Sequence, residues 1–156
     1  VMTDKKFIVL LDIDGVLNFL GKADDENFTV IKNDVWTTWT IKDEVLDWLK
    51  NLSKNPTVEI VWLSTWQEDG NVINDKLNIE HFLTTDELVP SRRISVNAIK
   101  LDQIWQLKKQ CLVEKLVVID DELDYSSADL HIRPDSKTGL TVEEMEKINQ
   151  FIDQNK

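Results

Sequence analysis

Among its 156 residues the chain has one cysteine, Cys111, so no internal disulfide can form. Its place in an apolar-patterned helix reads as a packing thiol rather than a catalytic one. Three prolines and four glycines leave no Pro/Gly-rich linker, and no repeat or low-complexity tract breaks the pattern. One domain over residues 1–156 is expected, long enough to bury about two-thirds of the surface exposed by the unfolded chain. No apolar run approaches the roughly 18 residues of a membrane span, and no basic-then-apolar signal opens the chain. A soluble, cytoplasmic protein without a membrane partner is therefore expected. Basic residues are scarce: 18 Lys and Arg face 29 Asp and Glu, giving a formal net charge of −11. General nucleic-acid binding is disfavoured, because phosphate backbones demand clustered cations, although action on a nucleic-acid end is not excluded.

The most informative stretch present is Phe7-Ile8-Val9-Leu10-Leu11-Asp12-Ile13-Asp14-Gly15-Val16-Leu17-Asn18. Its apolar part is short and rich in branched aliphatics, which suits a strand buried on both faces. Asp12 and Asp14 follow at the carboxyl end, where open α/β sheets place ligands. Two residues apart on a strand, they would face one cavity and suit a divalent cation. Asp and Gly as simple turn residues are the competing reading.

Two β-prone runs, 28–32 and 35–39, flank Asn33-Asp34 and predict a hairpin, part of a flap at about 19–40. Thr40 can cap a helix over 41–53 with Val45, Leu46, Leu49 and Leu52 buried. Strands follow at 58–63, 81–84, 116–119 and 128–132, with helices at 71–77 and 96–110. Thr141-x-x-Glu144 forms a capping box for a terminal helix. Strands alternating with helices predict an α/β fold with a mostly parallel sheet covered on both faces. The six tryptophans, Trp36, Trp39, Trp48, Trp62, Trp66 and Trp105, read as core and rim packing rather than a base-stacking platform, with Trp66 placed to border the site.

Polar cargo recurs at three strand ends: Asp12 and Asp14, then Ser64-Thr65, then Asp120-Asp121. Four aspartates gathered together would repel unless a cation were bound. No His or Cys lies in these motifs, so magnesium fits better than a transition metal. His81 and His131 read as structural or exposed residues.

The Asp-x-Asp-Gly-Val pattern after a hydrophobic strand resembles motif I of the haloacid dehalogenase-like (HAD) hydrolases. The resemblance implies a Rossmann-like three-layer sandwich. It makes Asp12 a nucleophile that takes up a phosphoryl group and Asp14 a general acid/base. Gly15 would lie beside the substrate. Ser64 suits the motif II hydroxyl, with Thr65 as the competing assignment. Lys100 suits the motif III cation, with Arg92 or Arg93 as alternatives. Asp120 and Asp121 match the two-acid motif IV, with Asp124 third, so Asp12, Asp14, Asp120 and Asp121 form the expected magnesium set.

Longer runs narrow the likeness. Trp62-Leu63-Ser64-Thr65-Trp66-Gln67-Glu68-Asp69-Gly70-Asn71 and Arg133-Pro134-Asp135…Gly139-Leu140-Thr141 are similar to the HAD subgroup found in "Swiss Army Knife" RNA-repair proteins. Ser64 replaces the commoner Thr, and Gly70 replaces Ala. Trp66 and Asn71 would shape the pocket. The spacing of motifs I and II leaves room only for a small β-hairpin flap, so a capless HAD type is expected, open to large substrates. The implied activity is a phosphatase acting on a phosphorylated substrate, a nucleic-acid end or another macromolecule among them. A nucleotide phosphatase, a phosphotransferase and a non-catalytic binding protein are the alternatives.

Overall fold

In the computed structural model, residues 4–21, 27–63, 66–110, 113–122 and 127–156 are described. Ser64, Thr65, Cys111 and Asp124 lie outside them. In chain order the elements are β1 (Phe7–Leu11), β2 (Phe28–Lys32), β3 (Thr38–Lys42), α1 (Asp43–Ser53), β4 (Val58–Trp62), α2 (Asn71–Leu77), β5 (Leu83–Thr84), α3 (Thr85–Leu88), α4 (Val96–Lys109), β6 (Lys115–Ile119), β7 (Leu130–Ile132) and α5 (Val142–Gln154). A short 3-10 turn over Gln67–Gly70 leads into α2.

A five-stranded sheet of order β5-β4-β1-β6-β7 is parallel throughout, and β2 and β3 form a separate antiparallel pair. All five side chains of β1 are fully buried because both neighbours and both faces of this central strand are covered. Phe7, Val9 and Leu11 pack on one face with Val45 and Leu49 of α1 and Ile148 and Ile152 of α5. Ile8 and Leu10 pack on the other with Ile104 and Leu107 of α4. Burial contributes about 1.5–3 kcal/mol per large aliphatic relative to an exposed position, which makes this strand the centre of the α/β sandwich.

The hairpin forms, but in a different register from the one predicted. Its second strand is Thr38–Lys42 rather than 35–39, with Ile31 opposite Trp39. The cause is Asp34, whose Oδ1 accepts the N–H groups of Trp36 and Thr37, each at 2.7 Å, and widens the turn. Ile31, Trp39 and Ile41 consequently all join the core. Thr40 is therefore a strand residue and not a helix cap. Helix α1 begins at Asp43 without a side-chain cap, its first turn carrying Asp43 and Glu44, which favour the positive end of the helix dipole.

The predicted strand at 81–84 shrinks to Leu83–Thr84. At the terminal helix the capping box is complete: Glu144 N–H donates to Thr141 Oγ1 at 3.2 Å, and Thr141 N–H to Glu144 Oε1 at 3.0 Å. Trp39, Trp48 and Trp62 are buried as expected, but Trp36 is 92% exposed at the hairpin turn and Trp105 53% exposed on α4. Core and rim packing thus describes the tryptophans only in part, with Trp36 and Trp105 left largely to solvent. No helix among the described residues is long and apolar enough to cross a membrane.

Candidate active site

Strand β1 lies between β4 and β6, so the chain leaves it on one side and returns on the other, creating a topological switch point at its carboxyl end. Leu11 stands in register with both Trp62 and Ile119. The residues that follow therefore emerge level with one another. Backbone bonds hold this exit: Asp12 N–H donates to Ile119 O at 3.1 Å, and Leu63 N–H to Leu11 O at 3.0 Å.

Oxygens of Asp12, Asp120 and Asp121 lie within 4.8 Å of one another. Asp12 is 6% exposed and Asp120 fully buried, whereas Asp121 is half-buried. Lys100 reaches them from α4, its Nζ 2.8 Å from Asp120 Oδ2 and 3.5 Å from Asp12 Oδ2. Ser95 caps that helix by accepting the Ala98 N–H at 3.3 Å. Arg92 and Arg93 are exposed in the segment before it, so Lys100 is the cation delivered to the cluster.

Burial pushes the Asp12 carboxyl up to about 7 against the pull of Lys100, with the Asp120 charge adding to the rise. Asp121 also rises, chiefly through burial. Burial alone would lower Lys100, but the charges of Asp12 and Asp120 outweigh it and hold the ammonium above its ordinary value. The cluster is thus short of positive charge. Its donors are all carboxylate oxygens, the set that hard divalent cations prefer, and the residues present fit magnesium.

Asp14 occupies a different position from the other acids. Its Oδ1 accepts Asn18 Nδ2 at 2.9 Å and its Oδ2 accepts Trp66 Nε1 at 2.9 Å, so its carboxylate is not part of the three-aspartate group. Asn18 in turn accepts the Thr40 N–H at 2.8 Å, tying motif I to β3. Trp39 packs edge-on against Trp66, with ring centroids 5.6 Å apart. Asn18 was absent from the residues singled out in the sequence. Its signal would have been its place four residues after Asp14 within the same motif run.

The sequence matches, over residues 8–145, the family described as "HAD domain in Swiss Army Knife RNA repair proteins". The chain belongs to this family. No curated protein and no solved structure matches it. Membership in the HAD family refers the site to phosphatase-type hydrolase chemistry.

Other residues named from the HAD motifs divide into two groups. Gly15 is needed at its place: its φ is +79°, and an added Cβ would collide with the Asp121 carboxylate and lie 3.0 Å from Ser136 Cβ. Its N–H donates to Asn18 O at 2.8 Å and holds the motif I turn. Asn71 does not reach the cluster. Its Oδ1 accepts Trp62 Nε1 at 3.0 Å and Phe82 N–H at 2.9 Å, joining α2 to the sheet.

The departure at Gly70 has a packing reason, since a Cβ there would come 2.8 Å from the Trp62 ring. The late Arg133-Pro134-Asp135 run supports the acids from behind. Arg133 donates to the carbonyls of Asp121, at 3.4 Å, and Glu122, at 2.8 Å, while Leu20 N–H bonds Ser136 O at 2.8 Å. His81 is exposed and pairs with Asp75 at 2.8 Å, and His131 is half-buried in β7. Neither histidine belongs to the acid group.

Proposed function

We propose that this HAD domain is a magnesium-dependent phosphomonoester hydrolase working through a phosphorylated Asp12. The observation that carries the reading is the meeting of Asp12, Asp120 and Asp121 with Lys100 at one strand end. Asp12, Asp120 and Asp121 would hold the cation, which when bound supplies charge neutralisation between carboxylates and phosphate oxygens.

Asp12 would attack phosphorus through a carboxylate oxygen. As that bond forms, the ester P–O bond breaks, and the departing oxygen takes a proton from Asp14. Asp14, now a carboxylate, then removes a proton from water, and the resulting oxygen attacks phosphorus, breaking the bond to Asp12 and releasing inorganic phosphate. Asn18 and Trp66 support this role for Asp14 by directing its two oxygens. Lys100 keeps a positive charge against Asp12 and Asp120. Ser64 is proposed as the hydroxyl that holds the transferring group, with Thr65 as the alternative.

A phosphate at a nucleic-acid end is favoured as a second reading by two observations. The family description ties such domains to RNA repair, and between β1 and β4 the described residues provide only a hairpin and one helix, not a cap domain. The test is hydrolysis of an aryl phosphate with and without magnesium by wild type and Asp12→Asn. Turnover that needs both magnesium and Asp12 is expected. Equal turnover by the variant would sink the covalent mechanism, and binding of phosphorylated ligands without any turnover would favour a non-catalytic binding protein.

A further inference from the structure

Helix α4 is apolar on two opposite sides. Ile104 and Leu107 are buried against the sheet, with Lys100 and Gln103 beside them. On the outer side Leu101 is 45% and Trp105 53% exposed, and half-buried Ala98 lies one turn before Leu101. Ala98, Leu101 and Trp105 are spaced by three and four residues, the spacing of a seam that pairs with a second helix. Ile94, just ahead of the cap residue Ser95, adds a fully exposed aliphatic side chain. The solvent side of a domain helix is ordinarily polar, so large apolar side chains in line there mark a surface that another molecule covers.

The charge around this stripe is opposite to that of the chain. Residues 92–109 carry Arg92, Arg93, Lys100, Lys108 and Lys109 against a single acid, Asp102, in a protein of net charge −11. Lys100 is turned inward to the acid cluster, and Lys108 pairs with Asp129 at 2.7 Å. Arg92 and Arg93 are exposed ahead of the helix. At the other end the Lys109 ammonium lies over the Trp105 ring, 4.7 Å from its centroid. Asp102 accepts the Gln106 side-chain N–H at 3.0 Å. The apolar stripe therefore runs between cations at both of its ends.

We propose that the outer face of α4 binds an acidic amphipathic helix of another protein. The apolar side of that helix packs on Ala98, Leu101 and Trp105, and its carboxylates meet Arg92, Arg93 and Lys109. A second copy of this chain fits poorly. Antiparallel pairing through α4 brings the arginines of one copy against Lys109 of the other, and parallel pairing sets like against like. A nucleic-acid strand meets a Trp105 ring already faced by an ammonium, and otherwise only aliphatic side chains, which is no stacking platform. An anionic bilayer is repelled by the acidic remainder of the chain. None of this depends on the hydrolase chemistry, because Leu101 and Trp105 lie outside the acid cluster.

The test uses the full chain and two synthetic helical peptides of three heptads, each with Leu at the seam positions. One carries Glu and the other Lys at the flanking positions. Binding is followed by calorimetry and by NMR on the Trp105 indole N–H. The Glu peptide should bind at least about tenfold more tightly than the Lys peptide, shift the Trp105 signal and weaken as salt rises. Trp105→Glu should reduce its affinity about tenfold or more. Arg92→Glu combined with Arg93→Glu should erase the preference for Glu over Lys, and both variants should keep Tm nearly unchanged because the positions are exposed. No binding of the Glu peptide at millimolar concentration, equal affinity for the two peptides, or binding unchanged in Trp105→Glu would overturn the proposal. Self-association of the wild-type chain that Trp105→Glu abolishes would also overturn it, by giving the face to a second copy. Binding to phosphatidylserine vesicles or to a single-stranded oligonucleotide, lost in that variant, would overturn it in the same way.

Discussion

Trp66 donates its indole N–H to Asp14 Oδ2 at 2.9 Å, linking the 3-10 turn after β4 to the acid that follows β1. Because Asn18 takes the other oxygen, Asp14 is oriented from two sides by neutral donors. Trp66→Phe keeps a ring against Trp39 and removes only the donor, so kcat should fall about five- to tenfold with KM nearly unchanged. Asn18→Ala should do the same and also loosen the contact with Thr40. Steady-state kinetics on an aryl phosphate checks both, and an unchanged kcat in both would contradict a positioning role.

Asp12 sets a pH dependence of stability whose sign follows from its raised folded value. An unfolded aspartate releases its proton near 3.8, whereas the folded Asp12 keeps its proton up to about 7. Its contribution is full below the lower value and is lost as pH rises through the higher one. Without metal, this group should therefore lower stability between about pH 4 and pH 7 by on the order of 2–4 kcal/mol, with Asp121 acting in the same direction. Asp12→Asn should flatten that slope and raise Tm at about pH 8. Urea unfolding across this range in the presence of a chelator measures it.

Magnesium should reverse the penalty, since a cation favours the carboxylates that burial disfavours. At ~100-fold excess over its Kd it would stabilise the fold by about 2.7 kcal/mol. The Tm gain should be larger at about pH 8 than at about pH 5, where protons compete for Asp12 and Asp121. Asp121→Asn should reduce the gain while retaining the fold, because Asp121 is half-buried and at the edge of the cluster. Thermal melts with and without magnesium are the measurement, and an equal gain in the variant would remove Asp121 from the metal set.

Gly15→Ala tests how closely motif I and motif IV are fitted together. The new Cβ would require a left-handed backbone and the space held by the Asp121 carboxylate and Ser136. A loss of about 1–3 kcal/mol is expected, together with weakened magnesium stabilisation. A variant with unchanged Tm and unchanged magnesium response would show that the loop yields freely.

Much of this arrangement was legible in the residues themselves. Phe7 to Leu11 is apolar without alternation because the strand is covered on both faces, and that pattern marks a central parallel strand in any sequence. The acids directly after it and after Ile119 were readable as one site because parallel strands bring equivalent ends to the same edge. Thr141 and Glu144 announced their helix because a capping box is local, made within four residues.

What remained hidden depended mostly on partners distant in sequence, and in the hairpin on how one turn residue uses its carboxylate. The sequence offered Lys100 as the cation with Arg92 or Arg93 as alternatives; packing of α4 on the sheet buries Lys100 against Asp12 and Asp120 and leaves the two arginines in solvent. Trp36 and Trp39 look alike in composition, yet the turn built by Asp34 exposes one and buries the other. Asn71 resembled a pocket residue until Trp62 and Phe82 occupied its amide oxygen. Local pattern determined the central strands, the Thr141–Glu144 capping box and the presence of the acids, because those follow from chain periodicity and near-neighbour hydrogen bonds. Only the tertiary structure decided which cation meets them and that Trp66 reaches Asp14, because such contacts join segments whose relative position no local rule specifies.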